Sequence, residues 1–348
     1  MKRKILLLSI LVSSLFFISC NYRGIETEKT PHEINVIFDT DMGSDIDDAL
    51  ALDMLYKYID LGKLNLLAIM NNKDSEYSTL FIDIMNKWYG YPDIPIGKIR
   101  NGVRLDDYVN YAQDVCKLET NGIPMFNGSG NDNNKLPDSH ILYRKVLAEQ
   151  PDKSVIVISV GFSTNLARLL DTEADKYSPL SGKELVSKKV ILLSVMGGCF
   201  KEKPRKEFNI VNDIPSAQKL FDQWPTKVVV SPFDVGAKIQ FPGKVIENNF
   251  NWGYNHPLVE AYKHSRPLPY NRATWDLTSV LYVTEPDSVF FNESEEGKIS
   301  VTKDGYTIFK PSEGGLHTIL SVDSGQINRI KEYFIRLITK KPKILESI

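Results

Sequence analysis

The sequence predicts an α/β protein built on an open, mostly parallel sheet with helices on both faces. Apolar runs rich in β-branched residues recur at 34–38, 64–70, 154–160, 189–195 and 227–231, each of strand length. Amphipathic stretches at 79–88, 139–149, 165–170 and 214–224 lie between them. Strand and helix in alternation give parallel strands covered by crossover helices. Every polar turn after a strand then falls on one edge, where open α/β sheets hold their ligands.

The chain opens with Lys2, Arg3 and Lys4 ahead of an apolar stretch, 5–18, that closes on Ser19-Cys20, the pattern of a secretory signal peptide over 1–19. A small residue followed by Cys at that boundary resembles the lipobox of bacterial lipoproteins, in which Cys20 is lipidated and becomes the new N-terminus. Phe17 departs from the Leu usual there. An ordinary signal peptide with an incidental Cys, or an uncleaved anchor, is the alternative. The lipoprotein reading makes an exported protein, anchored to a membrane through lipidated Cys20 alone. Residues 20–32 are polar, lack periodicity and read as a tether. Residues 33–348 read as one domain, with no later stretch long and apolar enough to span a bilayer.

The first strand runs into Asp39, Asp41, Asp45, Asp47 and Asp48, and the helix formers Ala49-Leu50-Ala51-Leu52 follow at once. Carboxylates this close raise one another's pKa unless a cation offsets the repulsion. A strand-to-helix turn packed with aspartates is therefore expected to bind a metal, and the helix dipole favours acids in the first turn. Asn71-Asn72 follows the second strand, Gly161 to Asn165 a later one, and Met196-Gly197-Gly198 the next, all on the same edge. The Gly/Asn-rich loop 127–134 reads as a flap. Near the C-terminus, 298–301 and 306–310 flank Asp304-Gly305 as a hairpin, and 326–338 reads as a closing helix.

With 42% hydrophobic and 25% charged residues the chain is an ordinary globular protein. Loss of Lys2, Arg3 and Lys4 makes its formal charge three units more negative than −2, so no basic surface for nucleic acid is expected. Cys116 and Cys199 have no metal-ligand spacing and read as buried thiols. Oligomeric state is left open, a homo-oligomer included.

Three acid-rich loops compete for 39–48. In an EF-hand loop counted from Asp39, Gly43 and Leu50 stand where other residues are required, which excludes that reading. A phosphatase of the haloacid dehalogenase type starts with a strand and Asp-x-Asp, matched by Asp39-Thr40-Asp41, but Gly43 stands where Thr or Val belongs. The third is Asp-x-Asp-x-Gly followed by Asp-Asp-Ala and a helix. This chain resembles the nucleoside hydrolase family in that motif, in Gly161-Phe162-Ser163-Thr164-Asn165-Leu166, in Met196-Gly197-Gly198 with Glu207-Phe208-Asn209-Ile210, and in Trp275-Asp276-Leu277. The resemblance runs from about Ile34 to about Val283. Two residues are inserted between Gly43 and Asp47 relative to the shortest family form, so Asp45 has no clear counterpart.

The resemblance implies a Ca²⁺-dependent hydrolase of N-glycosidic bonds, acting on nucleosides or related ribosides. Carried over by motif, Asp41, Asp48 and Asp276 are carboxylate ligands of Ca²⁺ and Thr164 a ligand through its carbonyl, a hard oxygen set that suits that ion. Asp41 is also the implied general base for a cation-bound water. Asp47 is expected at the ribose 2′- and 3′-hydroxyls with Asn72, and Glu207 and Asn209 at the hydroxymethyl end. Two departures stand out: Lys201 replaces a family Asn, and Trp275 stands where some members carry a His that protonates the leaving base. Trp275 is expected to stack on the base, with Trp252, Tyr254, His256, His264 and Arg272 as further candidates on that side. A metal-dependent phosphohydrolase, and a riboside-binding lipoprotein without turnover, are the alternatives.

Overall fold

A strand buried on both faces needs apolar residues at successive positions, and Val36, Ile37 and Phe38 supply them. In the computed structural model, which describes residues 33–106, 108–130, 132–201, 203, 205–253, 255–286 and 289–346, these residues lie in the middle of one large sheet. Its strands are β1 (Ile34–Thr40), β2 (Leu64–Asn71), β3 (Ile96–Gly97), β4 (Val155–Ser159), β5 (Val190–Met196), β6 (Lys227–Ser231), β7 (Asn292–Glu293), β8 (Gly297–Val301), β9 (Thr307–Pro311) and β10 (His317–Ser321). Their lateral order is β9-β8-β10-β6-β5-β4-β1-β2-β3, with β7 pairing to β10. From β10 to β3 all neighbours are parallel, whereas β8 runs antiparallel to both β9 and β10. The sheet is open and mostly parallel, as expected from the alternating runs.

Helices cover both faces. Alternate strand residues point opposite ways, so Val36, Phe38, Leu66 and Ile158 pack in one core with α1 (Asp47–Asp60), α2 (Glu76–Trp88), α7 (Phe233–Lys238), α8 (Pro257–Ser265), α9 (Trp275–Thr284) and α10 (Ser324–Ile338). Ile37, Ala68, Val157 and Leu193 pack on the other side against α3 (Ser139–Glu149), α4 (Thr164–Leu170), α5 (Gly182–Lys189) and α6 (Ile214–Gln223). Helix α1 is buried on nearly every side, from Asp47 to Tyr58, because β2 and the helices α8, α9 and α10 all pack against it. Its side chains Leu50, Leu52 and Leu55 are fully buried, each worth about 1.5–3 kcal/mol.

The hairpin at the C-terminus forms as β8 and β9, and the closing helix starts two residues early because Asp323 and Gln326 close a capping box in front of it. Strand β10 was not expected. It returns between the hairpin and β6, pairing His317 with Val228 on one side and with Gly297 on the other. At that seam Nδ1 of buried His317 accepts the Ile299 N–H at 2.8 Å. Among the described residues no helix is long and apolar enough to cross a membrane. Cys20, the segment before it and the tether lie outside the described residues.

Candidate active site

The chain moves from β1 outward through β2 to β3 and returns to β4 on the opposite side of β1, so the crevice at the carboxyl ends of β1 and β4 is the switch point of the sheet. Gly161 makes this junction close. A Cβ on it would lie 2.6 Å from Oδ1 of Asp41, 2.6 Å from Oδ1 of Asn72 and 2.7 Å from the Asp41 nitrogen. Gly43, at φ +115°, turns the chain from β1 toward α1, and its N–H donates to the Tyr111 hydroxyl at 3.1 Å.

The aspartates of the turn separate by task. Asp39 faces inward, where it accepts from Tyr143 at 2.9 Å, from Asn165 at 3.3 Å and from Asn72. Burial pushes its carboxyl up to about 7 against these hydrogen bonds. Asn72 spends its carbonyl oxygen on the Phe162 N–H at 3.1 Å, so both ends of its amide hold the junction together. Asp41, Asp47 and Asp48 form the floor of a cleft of about 290 Å³, joined by Asp276 from the first turn of α9. Thr164 opens α4 beside this floor without lining the cleft, and its hydroxyl donates to Asp213.

The four floor carboxylates are buried and face one another. Burial raises the Asp41 carboxyl to about 7, with Lys73 pulling it down and Glu207 and Asp39 adding to the rise. Asp48 is raised well above the carboxylate range by burial and then by Asp41, and Asp276 by burial and then by Asp48 and Asp41. Asp47 rises by burial and then through Asp276 and Asp48. Thr40 donates to Asp48, and the buried Lys73 reaches Ser44 Oγ at 2.6 Å nearby.

Among the described residues no three His, Cys, Asp or Glu side chains meet as a formed metal cage. The donor set nevertheless fits a hard divalent cation, since several buried carboxylates that raise one another's pKa favour a positive ion between them.

One wall is built from the ends of β4 and β5. Glu207 caps a one-turn helix (Phe208–Val211), accepting from the N–H groups of Gly198 at 3.1 Å, Asn209 at 3.1 Å and Ile210 at 3.2 Å. Burial raises its carboxyl, and these N–H groups pull it back. The Asn209 amide donates to the Val160 carbonyl at 2.9 Å, tying this wall to β4. Behind it, the Thr307 hydroxyl accepts from the Cys199 N–H at 2.9 Å and donates to the Cys199 carbonyl at 3.1 Å.

The opposite wall is aromatic and cationic. Trp275 donates its indole N–H to the Phe233 carbonyl at 2.8 Å, and the Arg272 guanidinium lies 4.9 Å from its ring. Arg272 also pairs with Asp45, which accounts for the aspartate that lacked a counterpart. Tyr108 and Val109, 54% and 53% exposed, complete the rim with Phe208, Phe233 and Arg266. On this side the sequence had suggested Trp275 and Arg272; the rim residues escaped because a rim assembled from separate loops has no local pattern.

Three expectations are corrected. His256 is buried among Trp88, Tyr89, Phe250 and Trp252 with Nδ1 accepting from Leu258, so neither it nor Trp252 lines the cleft. His264 is exposed and also off the cleft. Loop 127–134 is no flap in its described part: Ser129 bonds Asp83 twice and Asn133 bonds Thr79 and Glu76, fastening it to α2. Lys201 likewise stays off the cleft, 3.7 Å from Asp234, and Tyr254 lies outside the described residues.

A profile of the inosine-uridine preferring nucleoside hydrolase family matches residues 36–329. No curated protein sequence matches the chain significantly. Among solved structures, a plant nucleoside hydrolase superposes with a TM-score of 0.67 at 18% identity, covering 88% of this chain and 99% of its own. A purine-preferring ribonucleoside hydrolase from Gardnerella vaginalis gives 0.67 at 15% identity, covering 88% and 98%. An inosine-uridine preferring nucleoside hydrolase from Bacillus anthracis gives 0.63 at 16%, covering 88% and 100%. At these identities the likeness is one of fold.

Proposed function

The chain belongs to the inosine-uridine preferring nucleoside hydrolase family, a hydrolase acting on N-glycosyl compounds, and we propose that it splits ribonucleosides into ribose and base with the aid of Ca²⁺. The observation that carries this reading is the set of buried carboxylates, Asp41, Asp47, Asp48 and Asp276, gathered at the switch point inside one cleft.

Thr164, the expected carbonyl ligand, stays off the cleft lining, and Asp41, Asp48 and Asp276 are the residues that would hold the cation. Bound there, it supplies the charge that keeps these carboxylates ionised together and lowers the pKa of water in the cleft. Asp41 acts as the general base, its buried carboxylate on the cleft floor beside the water it deprotonates. It takes a proton from the attacking water as the oxygen bonds to C1′ on the face opposite the base. Attack from that side inverts the anomeric carbon. Asp47 accepts hydrogen bonds from the ribose 2′- and 3′-hydroxyls, while Glu207 and Asn209 meet the hydroxymethyl end; Asn72, expected beside Asp47, has its amide committed to Asp39 and the Phe162 N–H and stays off the cleft lining. Trp275 gives the base an aromatic wall, which favours purine ribosides.

The test is a panel of nucleosides, nicotinamide riboside and nucleoside phosphates, scored for free ribose and for phosphate with and without Ca²⁺. Ribose release that requires Ca²⁺ supports the reading; phosphate release alone, or binding without turnover, overturns it. The chain is further proposed to be exported and held at a membrane by lipidated Cys20, with 33–348 as the catalytic domain. Cys20→Ser is expected to wash from membranes, and detergent-requiring attachment of that variant would overturn the anchor.

A further inference from the structure

Breaking an N-glycosidic bond leaves an electron pair on the base nitrogen, and without a proton or a strong donor there the bond is slow to break. Among the described residues the cleft lining contains no His, and its charged donors are Arg266 and Arg272. Arg266 is exposed, and among the described residues no ion pair fixes its guanidinium, whereas Arg272 is held from two sides. Asp45 pairs with its terminal nitrogen, and the Trp275 ring lies 4.9 Å beneath its guanidinium carbon. The ion pair with Asp45 engages one terminal nitrogen, and the rest of the guanidinium fork lines the cleft with N–H donors to spare for a ligand there.

We propose that Arg272, positioned by Asp45 and Trp275, recognises and activates the leaving base by donating hydrogen bonds to ring-nitrogen or carbonyl acceptors on its edge. The assignment rests on the nucleoside hydrolase reading above. As C1′–N breaks, its electron pair stays on the base; the water oxygen bonds to C1′ and its proton passes to Asp41. The guanidinium holds the negative charge on the base through charge-assisted hydrogen bonds. The base then takes a proton from solvent and Asp41 returns one. Asp45, carried by the two-residue insertion after Gly43, is a positioning residue that aims the guanidinium.

The experiment compares inosine with 4-nitrophenyl riboside, whose leaving group needs no such help, in the Ca²⁺-loaded protein and its Arg272→Ala, Arg272→Lys and Asp45→Asn variants. Arg272→Ala is expected to lose about 10- to 100-fold in kcat/KM on inosine, the worth of one or two charge-assisted hydrogen bonds, and to stay within about threefold on the activated riboside. Added guanidinium ion is expected to restore part of the inosine rate, which a purely structural role would not allow. Arg272→Lys and Asp45→Asn are expected to fall between. Equal losses on both substrates, or no loss on either, with the melting temperature unchanged, overturn the Arg272 assignment and leave the hydrolase standing. Failure of the unsubstituted protein to release ribose from either substrate overturns both.

Discussion

The backbone N–H of Asp276 donates to Oδ2 of Asp47 at 3.2 Å, joining positions 229 residues apart. Asp47 and Asp48 open α1, and Asp276 lies in the first turn of α9, so two helices direct their N-terminal ends at one acidic floor. Each end carries partial positive charge that favours carboxylates by about 0.3–1 kcal/mol, too little to offset burial of four of them. The remaining deficit is what a divalent cation would supply.

Removing Ca²⁺ with a chelator is therefore expected to abolish ribose release, and returning it to restore the rate. The melting temperature should climb with Ca²⁺ by mass action, worth about 2.7 kcal/mol at a hundred times Kd. Asp48→Asn should lose that climb. Full activity and a metal-independent melting temperature would remove the cation from the reaction.

Asp41→Asn keeps an oxygen where the carboxylate stood but no longer accepts a proton. Turnover is expected to fall by ~10²–10⁴, with nucleoside binding falling far less. Steady-state kinetics and calorimetry on the same preparation separate the two; equal losses would mark Asp41 as a ligand and not as a base.

Gly161→Ala places a methyl group 2.6 Å from Oδ1 of both Asp41 and Asn72. Relief requires the β1 and β4 ends to part, at a cost of about 1–3 kcal/mol in stability. Activity should drop disproportionately, because the displaced atom belongs to the proposed base. A variant with wild-type kinetics would show that the junction tolerates opening.

His317 lies at the seam, far from the floor. Burial, with Lys298 adding to it and Asp222 opposing, lowers its pKa to about 4 from the ordinary 6.5, so the folded chain binds fewer protons there than the unfolded one. Its contribution to stability is complete above pH ~6.5 and is lost as the pH falls toward about 4. His317→Asn offers Oδ1 as acceptor for the Ile299 N–H and does not titrate. Its melting temperature should fall less steeply than the parent's across that window; identical slopes would clear His317 of any part in acid sensitivity.

Much of this architecture was legible in the sequence, because a two-face-buried strand must be apolar throughout and a crossover helix must be amphipathic. Strands 34–38, 64–70, 154–160, 189–195 and 227–231 all form, with their ends shifted by at most two residues. β3 and β10 escaped notice since a two-residue strand has no periodicity and β10 is defined by partners on both sides. At the site, the aspartate turn announced itself through charge density. That Asp39 turns inward, that Asn72 spends its amide on the junction and that His256 is entombed in an aromatic cluster are matters of rotamer and packing, invisible in a linear pattern. Asp45 became intelligible only once folding brought Arg272 beside it.

The reciprocal hydrogen bonds between Thr307 and Cys199 set a lower limit on how far this chain can be shortened. Cys199 follows Gly198, whose N–H holds Glu207, so the β8–β9 hairpin braces the sugar-side wall from behind. A minimal version ending after α9 would keep every proposed cation ligand and yet lose the buttress of that wall. Library designs that graft new specificity onto this scaffold should therefore vary the rim at Tyr108 and Val109, and treat the hairpin as part of the machine's frame.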